Sequence, residues 1–168
     1  MTLNGQPLIF TNKQREKIDR SLTQLAEQAA SPLVMLADVS GQLVTYQGRL
    51  PAAQSHGLAA LAAASFAANL EMGNFLGLSP NFRQQLLEGK KANLYTMTVG
   101  QELLLIIVFT QQTLLGLVRL LAQQTQEDLL LLVRQAEQLR QKMKTGPQQK
   151  VDAGFGPAVQ VELDDLLS

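Results

Sequence analysis

The chain is poor in the residue types on which most enzyme chemistry depends. Among its 168 residues there is no Cys and a single His, and aromatic residues make up 5% of the total. Without Cys, disulfides, thiolate nucleophiles and Cys-ligated zinc are excluded, and the lone His56 has no second His with which to share a metal ion. The lack of Cys is compatible with a reducing compartment, and we expect a cytoplasmic protein without metal or cofactor.

The chain also lacks an excess of charge of either sign and any long apolar run. Its 14 Lys and Arg residues balance its 14 Asp and Glu residues, so no basic field is available to attract nucleic acid. Apolar stretches such as residues 103–109 are far shorter than the roughly 20 residues of a membrane span. Residues 1–10 contain no basic segment followed by an apolar core, so we expect neither a secretory signal nor membrane insertion.

Motifs that bind nucleotides or carry a nucleophile are missing as well. There is no Walker-type glycine loop, no dinucleotide fingerprint and no Gly-x-Ser-x-Gly in the sequence. We therefore predict a protein that is not an enzyme. The length fits one domain. We predict an N-terminal extension over residues 1–12, a folded domain over residues 13–144 and a flexible C-terminal tail over residues 145–168.

The first half of the chain predicts a helix, a hairpin and a second helix. Thr11 and Gln14 form a capping box for an amphipathic helix. The apolar run 33–37 and the β-branched and aromatic run 43–46 are separated by a turn, which indicates a β-hairpin. Alanine and leucine then dominate residues 52–76 and predict a long helix that is apolar nearly all round and therefore needs cover on more than one side.

The second half predicts three strands and a closing helix. Residues 92–99 alternate and suggest an edge strand with one wet face, residues 103–109 suggest a central strand, and residues 114–120 suggest a final strand. Thr125 and Asp128 fit a capping box for a third helix that runs to about Lys144. An exposed edge strand has to be protected or paired.

Three local sequences in this order resemble the roadblock family of dynein light chain-like domains. Leu-Ala-Asp-Val-Ser-Gly over residues 36–41 is similar to the first hairpin of that family, and the alanine-rich run 57–64 is similar to its second helix. Residues 115–120 are similar to its final strand. The resemblance covers roughly residues 14–142.

The resemblance implies an α/β (α+β) fold of roadblock/profilin type, with the order α-β-β-α-β-β-β-α. The five-stranded antiparallel sheet would have the strand order second, first, fifth, fourth, third. The first and third helices would pack on one face and the second helix on the other.

The family also implies dimerisation through the second helix and the third strand. Small outward residues and an unpaired sheet edge agree with such an interface. The expected interface residues, taken from both elements, are Ala60, Ala63, Ala64, Ala67, Ala68, Tyr95 and Met97.

The family's bacterial and archaeal Mgl-type members imply a small Ras-like GTPase as the partner. Arg49, His56 and Arg83 are the candidate contacts in the domain, each weighed against ordinary surface solvation, and Arg119 is weighed in the same way. In the tail, Leu163, Leu166 and Leu167 lie among acidic residues. They fit either a short linear docking motif or plain disorder.

The sequence therefore predicts a dimeric roadblock protein, paired with itself or with a paralogue, that binds a Ras-like GTPase. It would activate hydrolysis or act as a scaffold. Two alternatives stay open: a ligand-sensing profilin- or PAS-like module with a pocket between sheet and helix, and an adaptor indifferent to the nucleotide state.

Overall fold

A computed structural model describes residues 8–78 and 82–145, which form one antiparallel sheet with helices on both faces. The order of elements is the predicted α-β-β-α-β-β-β-α, and the fold class is confirmed. The elements, in chain order, are α1 (Asn12–Gln28), β1 (Leu33–Asp38), β2 (Leu43–Gly48), α2 (Ala52–Phe75), β3 (Gln84–Leu87), β4 (Ala92–Val99), β5 (Leu103–Thr110) and α3 (Leu115–Thr145). Within the described residues, no helix is both long and apolar enough to cross a bilayer.

The capping box at the start of α1 is confirmed. The Thr11 side chain accepts a hydrogen bond from the backbone N–H of Gln14, and the Gln14 Oε1 accepts one from the Thr11 N–H at 2.8 Å. This reciprocal pair satisfies two backbone donors that a free helix end leaves open. The buried side chains Ile18, Leu22 and Leu25 then recur at helical spacing and hold α1 against the sheet.

The sheet has the predicted order β2-β1-β5-β4-β3, but the segments that form the third, fourth and fifth strands differ from the prediction. Residues 114–120 are not a strand, because α3 begins at Leu115. Val118, Leu121 and Ala122 are buried at helical spacing, which joins this segment to the rest of α3. Residues 92–99 and 103–109, predicted as the third and fourth strands, lie in the fourth and fifth, β4 and β5, and the third strand is β3, a segment that carried no strand pattern.

Two further expectations are wrong because the elements begin at other residues than predicted. Residues 92–99 form β4, which pairs with β3 on one side and β5 on the other, so this segment is not the edge. Thr125 does not cap a helix, because it lies in the interior of α3 and is buried. The polar residues before it are an exposed turn of one continuous helix.

Two apolar layers enclose the sheet. One lies between the sheet and the α1/α3 pair, and the other lies between the sheet and α2. Successive side chains of β5 enter alternate layers, so Leu105 and Ile107 face α1 and α3 whereas Leu104 and Ile106 face α2. This explains why the segment is continuously apolar, as predicted for a central strand.

An ion pair fixes the distal part of α3. The Arg140 guanidinium donates to both carboxylate oxygens of Glu102, at 2.7 and 3.0 Å, and so ties α3 to the turn between β4 and β5. The hydrogen bond to Glu102 raises the pKa of Arg140 above its already high ordinary value, so the guanidinium keeps its charge. Ala136 is the last buried residue of α3 with a described side chain, so this pair anchors the turns beyond the core.

Replacing Arg140 with Gln is expected to loosen this end of α3 more than it destabilises the domain. A bidentate but partly exposed pair contributes about 1 kcal/mol, so the free energy of unfolding should fall by about that amount. Amide hydrogen exchange should rise in residues 137–142. Arg134→Gln, at an exposed position of the same helix, is the control. An equal change in both variants would contradict the anchoring role.

Candidate interaction surface

The inner face of α2 packs closely on the sheet because most of its buried residues are small. Ala59, Ala62 and Ala63 are buried there, and Phe66 supplies the one large apolar side chain among the buried residues of this helix. The turn between β1 and β2 also approaches α2 closely: a Cβ on Gly41 would lie 2.7 Å from the Cα of Ala60, and Gly41 has a φ of 92°. Glycine is therefore required at that turn.

The outer face of α2 is apolar and exposed. Leu61 is 71% exposed and Phe75 is 91% exposed, values far from those of a core residue. We define the α2 outer face by its exposed apolar residues at helical spacing: Ala60, Leu61, Ala64, Ala67, Ala68, Met72 and Phe75. After Phe66, the only buried residue of α2 is Gly73. The last turns of the helix thus extend past the layer that the sheet covers.

Strand β3 lies beside this helix and forms one edge of the sheet, the other edge being β2. The Gln85 Nε2 donates to the Ser65 Oγ at 2.8 Å and links β3 to α2. A Cβ on Gly73 would lie 2.5 Å from the Phe82 ring, so glycine lets that ring pack against the helix. Among the described strands, β3 pairs only with β4.

We call the α2 outer face, together with Leu76, Leu78, Phe82, Leu87 and the free backbone edge of β3, the α2–β3 surface. All four of these additional side chains are apolar and exposed. The surface combines two features that isolated subunits rarely leave open, an apolar patch and an unpaired strand. It is the candidate functional site of the chain.

The structure divides the predicted interface residues into two groups. Ala60, Ala64, Ala67 and Ala68 are exposed on the α2 outer face. The other three side chains are buried inside the subunit: Ala63 is 3% exposed, Tyr95 is 1% and Met97 is 2%.

The burial of Tyr95 and Met97 follows from the position of β4, which is interior and not at the edge. Both side chains belong to the layer under α1 and α3. Burial raises the pKa of Tyr95, an effect that the nearby positive charge of Arg119 partly offsets. The Tyr95 hydroxyl has no hydrogen-bond partner among the described residues. The sequence pattern did not identify β3 as the edge strand beside α2. The only feature of residues 84–87 that indicated a strand was the pair of leucines at positions 86 and 87.

The candidate partner contacts Arg49 and Arg83 lie at opposite ends of the sheet. Arg49 follows the end of β2, where Gly48 pairs with Leu33. The Arg83 carbonyl accepts a hydrogen bond from the Thr98 N–H at 3.1 Å, at the far end of β4. Within one chain the two guanidinium groups therefore do not form a common site.

The remaining candidates are placed as follows. His56 is exposed near the start of α2, and Arg119 is exposed on α3. Leu163, Leu166 and Leu167 lie outside the described residues. In the part of the chain that the structure describes, no group of three or more His, Asp or Glu side chains could hold a metal ion.

Comparisons with known proteins agree on the fold. MglB from Myxococcus xanthus superimposes with a TM-score of 0.70 at 29% identity, covering 77% of this chain and 96% of that one. The gliding protein MglB from Thermus thermophilus has a TM-score of 0.71 at 22% identity, with 79% and 99% covered. A Roadblock/LC7 domain from Streptomyces avermitilis has a TM-score of 0.57 at 18% identity, with 73% and 97% covered.

No curated protein matches the sequence significantly. The model of one domain family, described as the Roadblock/LC7 domain, matches residues 22–109, which include α2, β3 and most of the sheet. This match spans more than half of the 168 residues, and the chain therefore belongs to the Roadblock/LC7 domain family.

Proposed function

We propose that the protein is a non-enzymatic homodimer that binds a small Ras-like GTPase and regulates it. The observation that carries this proposal is the α2–β3 surface, which leaves apolar side chains and strand hydrogen-bonding groups open at the same border. A second copy would cover both at once.

The shape of α2 favours a second α2 as the element that covers it. Outward residues such as Ala60, Ala64 and Ala67 let two helix backbones approach closely, and Leu61 and Phe75 supply apolar area beside them. A symmetric contact places the same patch of each copy against the other. The two β3 edges would then pair and extend the sheet across the dimer.

A two-fold axis near the middle of α2 would make the two helices antiparallel. The end of one α2 that bears His56 would lie beside the end of the other α2 that leads towards Arg83. Basic residues that are far apart in one chain would thus approach each other across the dimer. We propose this composite border, with Arg49, as the contact region for the GTPase.

The GTPase is proposed as the partner because of the family to which the chain belongs. The regulator could supply a guanidinium that stabilises charge on the transferred phosphoryl group. It could also reposition residues of the GTPase, in which case no arginine of this chain would be essential.

Binding is expected to depend on the nucleotide that the GTPase carries. The experiment uses the full chain and a purified Ras-like GTPase from the same organism, loaded with GDP or with a non-hydrolysable GTP analogue. Biolayer interferometry should show at least about tenfold tighter binding to one form, and this difference corresponds to about 1.4 kcal/mol. Equal binding to both forms would favour the nucleotide-independent adaptor instead.

Arg49→Ala and Arg83→Ala distinguish the two modes of regulation. If one arginine enters the phosphoryl site, its loss should reduce stimulated hydrolysis by about 10³-fold or more with binding retained. If neither arginine enters the phosphoryl site, both variants should stimulate hydrolysis as strongly as the original chain does. That result would favour a scaffold, or a regulator that repositions residues of the GTPase. Lys90→Ala, at an exposed turn between β3 and β4, is the matched control.

The ligand-sensing alternative would need space between the sheet and α2. Met35, Phe66 and Ile106 occupy that layer, and each is at least 97% buried. This filled layer favours a binding surface over an internal ligand site.

A further inference from the structure

A basic crevice lies on the other side of the molecule, between the start of α1 and the end of α3. It has a volume of about 410 Å³ and is lined by Thr11 and Gln14 together with lysine, glutamine and leucine side chains of both helices. α1 contributes Lys13 and Lys17, and α3 contributes Gln135, Gln138, Leu139 and Lys142. We call this the α1–α3 crevice.

The charged residues that line the α1–α3 crevice are all basic. Three lysines line it, and none of its lining residues is acidic. Neither Lys13 nor Lys17 has an ion pair within residues 8–78 and 82–145. The first turn of α1 also contains no acidic residue to complement the positive end of its dipole. The crevice is therefore suited to carboxylates.

The crevice also offers apolar surface and amide groups. Leu139 is 40% exposed beside the lysines. Gln135 and Gln138 provide donors and acceptors that an extended backbone could use. A ligand that combines carboxylates with leucines would match this set better than a small anion would.

The last residues of the chain have this composition. Residues 159–167 read Val-Gln-Val-Glu-Leu-Asp-Asp-Leu-Leu, with carboxylates at Glu162, Asp164 and Asp165 between apolar residues. α3 ends at Thr145, only three positions after Lys142 of the crevice. Val159 follows about 14 residues later, and such a length of chain can span up to about 50 Å. The segment can thus return to the crevice without strain.

We propose that residues 159–167 dock in the α1–α3 crevice of the same chain, with their carboxylates on Lys13 and Lys17 and a leucine against Leu139. The tether raises the local concentration of the segment to the millimolar range, so weak contacts suffice. This inference does not depend on the proposed dimer or on the GTPase, because the crevice and the α2–β3 surface lie on opposite faces of the sheet.

Paramagnetic relaxation enhancement in the full chain tests the docking. The chain has no Cys, so Ser168→Cys allows a nitroxide label at a single site. Amide signals of residues 13–17 and 138–142 should lose about half of their intensity or more, and about 0.5 M salt should restore them, because salt screens the exposed charges.

Charge reversal gives a matched pair of variants. Lys13→Glu with Lys17→Glu should abolish the broadening. Lys90→Glu with Lys91→Glu changes the net charge equally at an exposed turn and should leave the broadening intact. Loss of the broadening in both pairs of variants would overturn the docking, and so would broadening that is spread evenly over the surface.

A mixed sample separates the two sources of the segment. In that sample, ¹⁵N-labelled chain without nitroxide is combined with unlabelled chain that carries it. Little broadening there supports docking within one chain, whereas broadening of equal size would show that another copy supplies the segment and would overturn the proposal. Absence of broadening in both samples would overturn it as well.

Discussion

Ala64→Arg is expected to convert the proposed dimer into a folded monomer. Ala64 is exposed at the centre of the α2 outer face, so the subunit can accommodate a long side chain there. A second helix could not approach it without burying an unpaired guanidinium, which costs several kcal/mol. The dissociation constant of the dimer should rise by about 10²-fold or more. Sedimentation velocity and light scattering across a concentration series would measure the shift.

Gln124→Arg is the control for the dimerisation test. Gln124 is exposed on α3, at the opposite face of the sheet, and the substitution adds the same charge. We expect it to remain dimeric. Circular dichroism of Ala64→Arg should match that of the original chain. A full dimer in Ala64→Arg would place the interface on another element, and a monomeric original chain at high concentration would refute the dimer.

Phe66→Ala is expected to cause the largest loss of subunit stability. Phe66 is the only large residue among the buried residues of α2, and it belongs to the same apolar layer as Met35 and Ile106. Truncation of a buried Phe typically costs 3–5 kcal/mol because it leaves a cavity. We expect the free energy of unfolding to fall by about 3–5 kcal/mol.

The Phe66 measurement is best made on a monomer, because dimer dissociation would otherwise contribute to the unfolding free energy. Both Phe66→Ala and its control should therefore be introduced into Ala64→Arg. Leu61→Ala is the control, since Leu61 lies on the same helix but is exposed. It should change stability by less than about 0.5 kcal/mol. Equal losses in the two variants would show that Phe66 does not hold α2 on the sheet.

The elements with a strong local signal were predictable from the sequence. The capping box at Thr11 and Gln14 fixed the start of α1, and the spacing of its apolar residues identified the buried face. The continuous apolar run of β5 correctly indicated a strand covered on both sides. In each case the local pattern and the tertiary environment favour the same structure.

The errors arose where local pattern and tertiary environment differ. Residues 84–87 contain two glutamines and no β-branched residue, and the pairing that makes them a strand comes from β4. Residues 114–120 contain leucine, valine and glycine and fit a short strand equally well. They form a helix because their buried residues continue the row of buried residues along one face of α3. A short apolar run does not settle this choice by its own periodicity.

The candidate surface was predictable in part for a related reason. Because α2 is apolar nearly all round, its pattern does not distinguish the inward Ala63 from the outward Ala64. Assigning residues 92–99 to the edge then moved Tyr95 and Met97 to the interface, although they belong to the core. The composition identified the helix that bears the surface, and the sheet order was needed to identify the strand.

The two-sided alanine pattern of α2 has a consequence for mutational tolerance. Enlarging Ala59 or Ala62 would overfill the layer against the sheet and lower the melting temperature of every species. Enlarging Ala64 or Ala67 would leave the melting of an isolated subunit unchanged and alter only the concentration at which it assembles. A saturation library over this helix should therefore yield two classes of defect that alternate with the helical repeat. Substitutions at inward positions should lower stability at every expression level, whereas defects at outward positions should be rescued by overproduction of the chain.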